Sequence, residues 1–362
     1  MTQKGQRQII AWFAMTMMVM PTIAFSKEGE AHAPGISGIG GDHWIQRIEV
    51  SGLLEAEYGS TEDFAGDKSS DVTLATVELA FDAKVNDKVK AHLSFLYEED
   101  DTAYEVDEGY IDLALGAVNV QAGQLYVPFG SYETNMVSDP LTLEIGETRE
   151  SVLQVGSEFG PIQAAVYMYN GTMQETGGDD VADQMGVRLA YVAEGKSSSM
   201  DIGIDYINNI ADSDAITGYL TDPAGPYNSN AVKAYVSAQV IHANLSFGSF
   251  HVIAEHLITD QFDATEIAFK SKGAEITATN LEVGYSMSIA GMESTLAVGM
   301  QSTEEAVALG LPKEKTLVAL SLEVYKSTAL SFEYANSTDY DITDGGTGKD
   351  ANAFTVQLAV GF

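Results

Sequence analysis

After Trp44, hydrophobic and polar residues alternate one by one along most of the chain. A period of two marks strands that bury one face and wet the other. In the first segment Ile48, Val50, Gly52, Leu54, Ala56 and Tyr58 share one face; Arg47, Glu49, Ser51, Glu55 and Glu57 share the other. Val77, Leu79, Phe81, Ala83 and Val85 then oppose Thr76, Glu78, Asp82 and Lys84. Past Asn86-Asp87, Val89, Ala91, Leu93, Phe95 and Tyr97 oppose Lys90, His92, Ser94 and Glu98. Ile111, Leu113 and Leu115 alternate with Tyr110 and Asp112, and beyond Gly116-Ala117 Val118, Val120 and Ala122 oppose Asn119 and Gln121. Further strands are predicted near 149–158, 162–170, 184–193, 199–208, 230–240, 250–257, 279–289, 293–301, 315–325, 328–335 and 351–362. The total is sixteen.

The links between these segments also alternate. Those near 86–87, 116–117, 159–161, 194–198, 241–249, 290–292 and 326–327 are short. Those near 59–71, 99–109, 124–148, 171–183, 209–229, 258–278, 302–314 and 336–350 are long and rich in Gly, Asp, Ser and Thr. Short turns at one end and long loops at the other, on an even number of strands, describe a transmembrane antiparallel β-barrel of the outer membrane. A soluble sandwich rarely keeps such rotation. The last strand ends Phe354, Val356, Leu358, Val360 and Phe362, with apolar residues at every second place. An aromatic carboxy-terminus of this kind resembles the signal read by barrel-assembly machinery. Closure leaves no unpaired edge in hydrocarbon, and sixteen strands enclose an aqueous lumen. Tyr58, Tyr97, Tyr126, Phe129, Tyr191, Tyr206, Tyr285, Tyr334 and Phe362 fall near segment ends, where aromatic girdles belong.

The first residues set the compartment. Lys4 and Arg7 precede an apolar stretch from Ile9 to Met20, and Ala24-Phe25-Ser26 supplies small residues for cleavage before Lys27. These regions compose a secretory signal sequence over residues 1–26, followed by a short periplasmic segment, 27–44, and a barrel over 45–362. Removing two cations from a chain of net charge −35 leaves −35 − 2 = −37. The remaining arginines are Arg47, Arg149 and Arg188, a balance that repels nucleic acid and anionic partners. The chain has no cysteine, which avoids mispairing in an oxidising periplasm. The expected neighbours are therefore outer-membrane lipid and lipopolysaccharide. A homotrimer is compatible with the pattern, and nothing calls for a cofactor.

Candidate chemistry concentrates in the third long loop, which is less hydrophilic than the others and carries Pro128 and Pro140. Folded inward, it would place Tyr132, Glu133, Asp139, Glu144 and Glu147 at a constriction facing Arg149 on the wall. Strand parity sends Arg47, Glu49, Glu55, Glu57, Glu78, Asp82, Lys84, Asp112, Arg188, Glu282 and Glu323 into the lumen, with Lys90, His92, Glu98, Asp201, Asp205, Lys233 and Glu333. Acids dominate there, and lumen charge sets selectivity. The acidic runs Glu98–Asp101 and Asp339–Asp350 match no calcium loop and read as a solvated rim. No Gly-x-Ser-x-Gly elbow is present, and His242, His251 and His256 have no nucleophile paired with them in the sequence, so an enzyme is not expected.

Gly123-Gln124-Leu125-Tyr126-Val127-Pro128-Phe129-Gly130, continued by Met136 to Glu150, resembles the LbtU-type siderophore porins. The barrel from Ile45 to Phe362 is similar to theirs in length and layout. The resemblance implies a barrel without a plug domain, passing ferric-siderophore complexes. A shorter core, Gly-Gln-x-Tyr-x-Pro-Phe-Gly, also resembles phosphate-selective porins, whose basic lumen this chain does not share. The sequence therefore predicts a passive or facilitated channel. A general diffusion porin for small, preferably cationic solutes is the alternative, and a surface adhesion barrel the third reading.

Overall fold

The computed structural model describes residues 48–99 and 102–362. The predicted signal sequence 1–26, the segment 27–44, Arg47, Asp100 and Asp101 lie outside the described residues. The barrel strands are β1 (Ile48–Glu62), β2 (Lys68–Lys84), β3 (Val89–Tyr97), β4 (Glu105–Leu115) and β5 (Val118–Tyr126). Then follow β6 (Arg149–Phe159), β7 (Ile162–Tyr169), β8 (Gln184–Glu194), β9 (Ser198–Ile207), β10 (Ala238–Phe247) and β11 (Phe250–Thr259). The last five are β12 (Thr277–Ile289), β13 (Met292–Glu304), β14 (Glu314–Tyr325), β15 (Thr328–Thr338) and β16 (Asp350–Gly361). Each pairs antiparallel with the next, and β16 returns to β1 to close the barrel.

Alternation sorts the side chains as the pattern requires. Leu54, Leu189, Ile204, Ile241, Val298 and Val318 are exposed on the outside of the barrel, an apolar surface of the kind that lipid covers. Tyr58, Tyr191, Tyr206, Tyr285, Tyr334 and Phe362 are exposed aromatics near strand ends. At the seam, Gly52 and Phe362 exchange two backbone hydrogen bonds of 3.0 Å. The Phe362 ring also lies over Gly52, where a Cβ would stand 2.5 Å from its Cζ. Gly52→Val should therefore displace the ring and cost about 1–3 kcal/mol by overpacking. The measurement is the temperature at which the fast-migrating folded band disappears on a gel; an unchanged temperature would show that the seam does not depend on this contact.

Several predicted boundaries differ, and the reasons are physical. The strand placed at 230–240 is in fact β10, and the link drawn at 241–249 is only the turn 248–249. The inward face of β10 is apolar at Ala238 and Val240, so the period of two is erased there. The loop expected at 59–71 is mostly strand, because β1 and β2 run on together to Glu62↔Lys68. Lys233 lies in a loop and pairs with Asp263 at 2.7 Å instead of lining the wall. Phe129 is buried, and the Tyr126 hydroxyl donates to Asp107 at 2.8 Å, so neither belongs to a girdle.

The lumen itself holds a hydrophobic core. Inward residues Val152, Tyr167, Ile207, Val240, Leu257 and Ala278 pack against Phe129, Leu141 and Ile145 of the loop between β5 and β6 (L3). Ile216 and Leu220 of the loop between β9 and β10 join them, as do Phe262, Ile267 and Leu309 from the next two long loops. Two short helices, α1 (Leu141–Gly146) and α2 (Asp214–Thr221), meet within this core. These loops fold inward and pack on the inner wall of the barrel.

Candidate functional site: the third loop and the lumen

L3, residues 127–148, is sutured to the inner wall around much of the barrel. Its root closes with Val127 N–H donating to the Thr148 carbonyl at 2.9 Å. Gly130 N–H donates to Asp205 on β9 at 2.9 Å, while Arg188 on β8 donates to the Gly130 carbonyl at 2.9 Å. Ser131 and Tyr132 N–H donate to Glu255 on β11 at 2.7 and 3.2 Å. Glu282 on β12 accepts from Thr134 Oγ1 and Asn135 N–H at 2.7 Å each, and from Asn135 Nδ2 at 3.2 Å. Glu333 on β15 accepts from Val137 N–H, Ser138 N–H and Ser138 Oγ at 2.6, 3.2 and 2.7 Å. The chain then returns past Gln301 on β13, which accepts from Leu141 N–H at 3.3 Å, into α1, where Thr142 donates to Glu255 at 2.6 Å.

The bonds to the Asp205, Glu255, Glu282 and Glu333 carboxyl groups are of the charge-assisted kind, stronger than neutral equivalents, and all of them give an irregular backbone the partners it lacks in itself. The wall also leaves room for the loop. A Cβ at Gly284 would approach Asn135 Oδ1 to 3.0 Å, and one at Gly299 would stand 2.8 Å from Met136 Cε. Met136 completes the contact on Ala297, Leu317, Ala319 and Ala335. Carboxylates and small residues together form a seat of definite shape.

The residues singled out in L3 do not all face open water. Tyr132 has φ 53° and a buried hydroxyl without a partner. Asp139 and Glu147 are buried, and Glu133 and Glu144 are half-buried. Burial, reinforced by Asp201, Glu255 and Glu282 and opposed by His242, pushes the Glu133 carboxyl up to about 7. Burial, followed by Asp214, Asp107 and Glu144, pushes Glu147 well above the usual range. Arg149 opposes the charge of Glu147, but its own ion pairs lie elsewhere. It bonds Glu105 at 2.5 Å and Asp107 at 2.7 Å on β4, two carboxylates on the nearer wall.

The wall residues separate into two levels. Glu49, Asp82, Lys84, Lys90 and Asp112 line a cavity of about 1130 Å³ at the end of the short turns, with Pro128 and Arg188 also in its wall. Lys84 pairs with Asp87 at 3.1 Å. Register also turns Glu78 and Glu323 inward. Glu55 and Glu57 are buried, Glu57 accepting from Gln357 at 2.8 Å. Arg188 is bound to Asp205 at 3.1 Å, and His242 lies 3.3 Å from Asp201. Glu282 holds L3 instead of standing free in the lumen. Among the described residues, no three His, Asp or Glu side chains are arranged to hold a metal ion.

Sequence reading passed over Glu255, although it is a single acid flanked on the inward face by Ile253 and Leu257. A lone acid in such company signals a partner. It also passed over Gly284 and Gly299, whose spacing carries no signal without the loop in place.

No protein-family profile matches the sequence. The chain is 26% identical over 333 residues to a UPF0422 protein of Coxiella burnetii, covering 88% of this chain and 70% of that protein. It is 27% identical over 358 residues to a UPF0422 protein of Legionella pneumophila strain Lens, covering 87% of this chain and 66% of the relative. The chain thus spans about two thirds of the length of these curated relatives. Among solved structures it is similar to the anion-selective porin of Comamonas acidovorans, with TM-score 0.61 and 15% identity over 87% of this chain and 99% of that one. It is also similar to OprB of Pseudomonas putida, with TM-score 0.63 and 10% identity over 88% and 94% of the two chains. The outer-membrane channel DcaP of Acinetobacter baumannii has TM-score 0.59 and 12% identity over 87% and 97%. At these identities the likeness establishes the fold: the chain has the closed sixteen-stranded barrel of the outer-membrane porins.

Proposed function

We propose that the chain is a passive outer-membrane channel, narrowed by L3, that favours cationic or neutral solutes. The observation that carries this reading is the set of bonds that L3 donates to Asp205, Glu255, Glu282 and Glu333, which stretches the loop across the lumen. A loop spent on occluding its own barrel makes sense where passage is being graded. The net charge of −35 supports the sign of the preference. The Comamonas acidovorans porin is anion-selective, and this chain's charge argues for the opposite. In a salt gradient across a planar bilayer, the reversal potential should have the cation-selective sign. An anion-selective sign would overturn the charge argument.

The favoured solute is a ferric-siderophore complex, on the resemblance carried by Gly123 to Glu150. Uptake of labelled complex under iron limitation should fall in a deletion strain. It should persist when inner-membrane energisation is disabled, because a passive channel needs none. The second reading, a general porin, is favoured by the mixed charges of the cavity, where Lys84, Lys88 and Lys90 stand among Glu49, Asp82 and Asp112. Unchanged siderophore uptake with reduced entry of small sugars or amino acids would decide for it. An adhesion barrel is separated by Tyr132 and Glu144, whose replacement alters flux only in a channel. A homotrimer is part of the proposal, since OmpT of Vibrio cholerae, which shares the fold, occurs in a trimer form.

A further inference from the structure

The far end of L3 carries a carboxyl group in a place where a charge is hard to keep. Asp139 is 3% exposed, and neither of its carboxyl oxygens has a hydrogen-bond partner. The groups around it are mostly acidic. Glu144 and Glu147 approach from its own loop and Glu98 from the end of β3, with Lys315 on β14 the single opposing cation among its strongest electrostatic neighbours. Lys315 is itself engaged, donating to Ser138 Oγ at 3.0 Å. Glu333 on β15 holds Val137 and Ser138 immediately before Asp139, and Gln301 on β13 holds Leu141 two residues after it.

An ionised carboxylate buried without a partner is costly, and like charges nearby add to the cost. Burial first, then Glu144 and Glu147, hold the Asp139 carboxyl well above the ordinary range. The surrounding acids do not converge as ligands, since no three among the described residues are arranged to hold a metal ion. The species that removes the charge is a proton.

Resting on the channel reading above, we propose that a proton on Asp139 locks the tip of L3 into its seat, and that its loss at alkaline pH releases the tip and widens the channel. The sign follows from the raised value. Protonation favours the seated state, so the lock is complete below the ordinary carboxyl range and fails as pH rises through the buried value. Once ionised, Asp139 must reach water, and the residues joined to it between Ser138 and Leu141 move with it. No covalent bond is made or broken beyond the O–H of the carboxyl group.

The test is single-channel conductance of the purified full chain in planar bilayers, scanned from about pH 5 to about pH 9, the span in which buried carboxyl groups titrate. The wild type should step to a higher conductance on the alkaline side. Asp139→Asn, a neutral group of the same shape, should lose that step and keep the low conductance throughout. Gly299→Leu, which fills the seat of Met136, should show the high conductance at every pH. A step that survives in Asp139→Asn, or a wild type whose conductance does not change with pH, overturns the lock while leaving a channel. A step abolished by EDTA, or moved by added calcium, overturns it in favour of a bound metal ion. Absence of conductance in every variant and at every pH sinks the channel reading instead.

Discussion

Replacing Glu282 and Glu333 together by alanine is expected to free the middle of L3 and raise single-channel conductance more than any other pair of changes in the wall. Six hydrogen bonds from L3 end on these two carboxylates. Bonds to charged acceptors contribute about 1.5–3 kcal/mol each. Fixing a backbone residue costs about 1–2 kcal/mol, and the arc from Ser131 to Ser138 has eight residues to fix. The two quantities are of similar size, so the arc stays ordered only while the bonds exist. Four of the six donors belong to Asn135 and Ser138, which find water readily once released. The barrel should persist, because its strand pairing does not pass through either side chain. A folded, heat-modifiable variant of unchanged conductance would mean that L3 is held by its apolar contacts alone.

The second large effect concerns charge. Glu133 should make ion selectivity depend on pH in the neutral range. Its carboxyl, pushed up to about 7 by burial and by Asp201, Glu255 and Glu282, is ionised above that value and progressively neutral below it. Cation preference should therefore be greatest above about pH 7 and decline as pH falls toward the ordinary glutamate value of about 4.3. Glu133→Gln should lower the preference at high pH and flatten its dependence over that interval. Adding Glu144→Gln should lower it further. A reversal potential in the wild type that ignores pH across this interval would place Glu133 outside the ion path.

The barrel was legible because lipid and water impose opposite demands on neighbouring residues. Most strands announced themselves by alternation, and the long and short links gave their direction. The failure at β10 has the same origin. Where loops fill the lumen, the inward face of a strand turns apolar, as at Ala238 and Val240, and the alternation disappears. The 250–257 segment was ambiguous for the same reason, since Ile253 and Leu257 face inward beside Glu255. Strand parity could send Glu282 and Glu333 into the lumen, but it could not say that L3 would be bound to them. Partners separated by 147 and 196 residues leave no local trace. The direct partners of Arg149 were not legible, because Glu105 and Asp107 reach it only through the pairing of β4 into the wall.

Recording purified wild-type protein in a planar bilayer under a salt gradient distinguishes a cation-preferring channel narrowed by a seated third loop from every other reading of this barrel. Such a channel gives discrete conductance steps with a reversal potential of the cation-selective sign. The steps grow larger when Glu282 and Glu333 are replaced by alanine. Folded barrels that insert without conducting, or steps of the anion-selective sign, would contradict that reading.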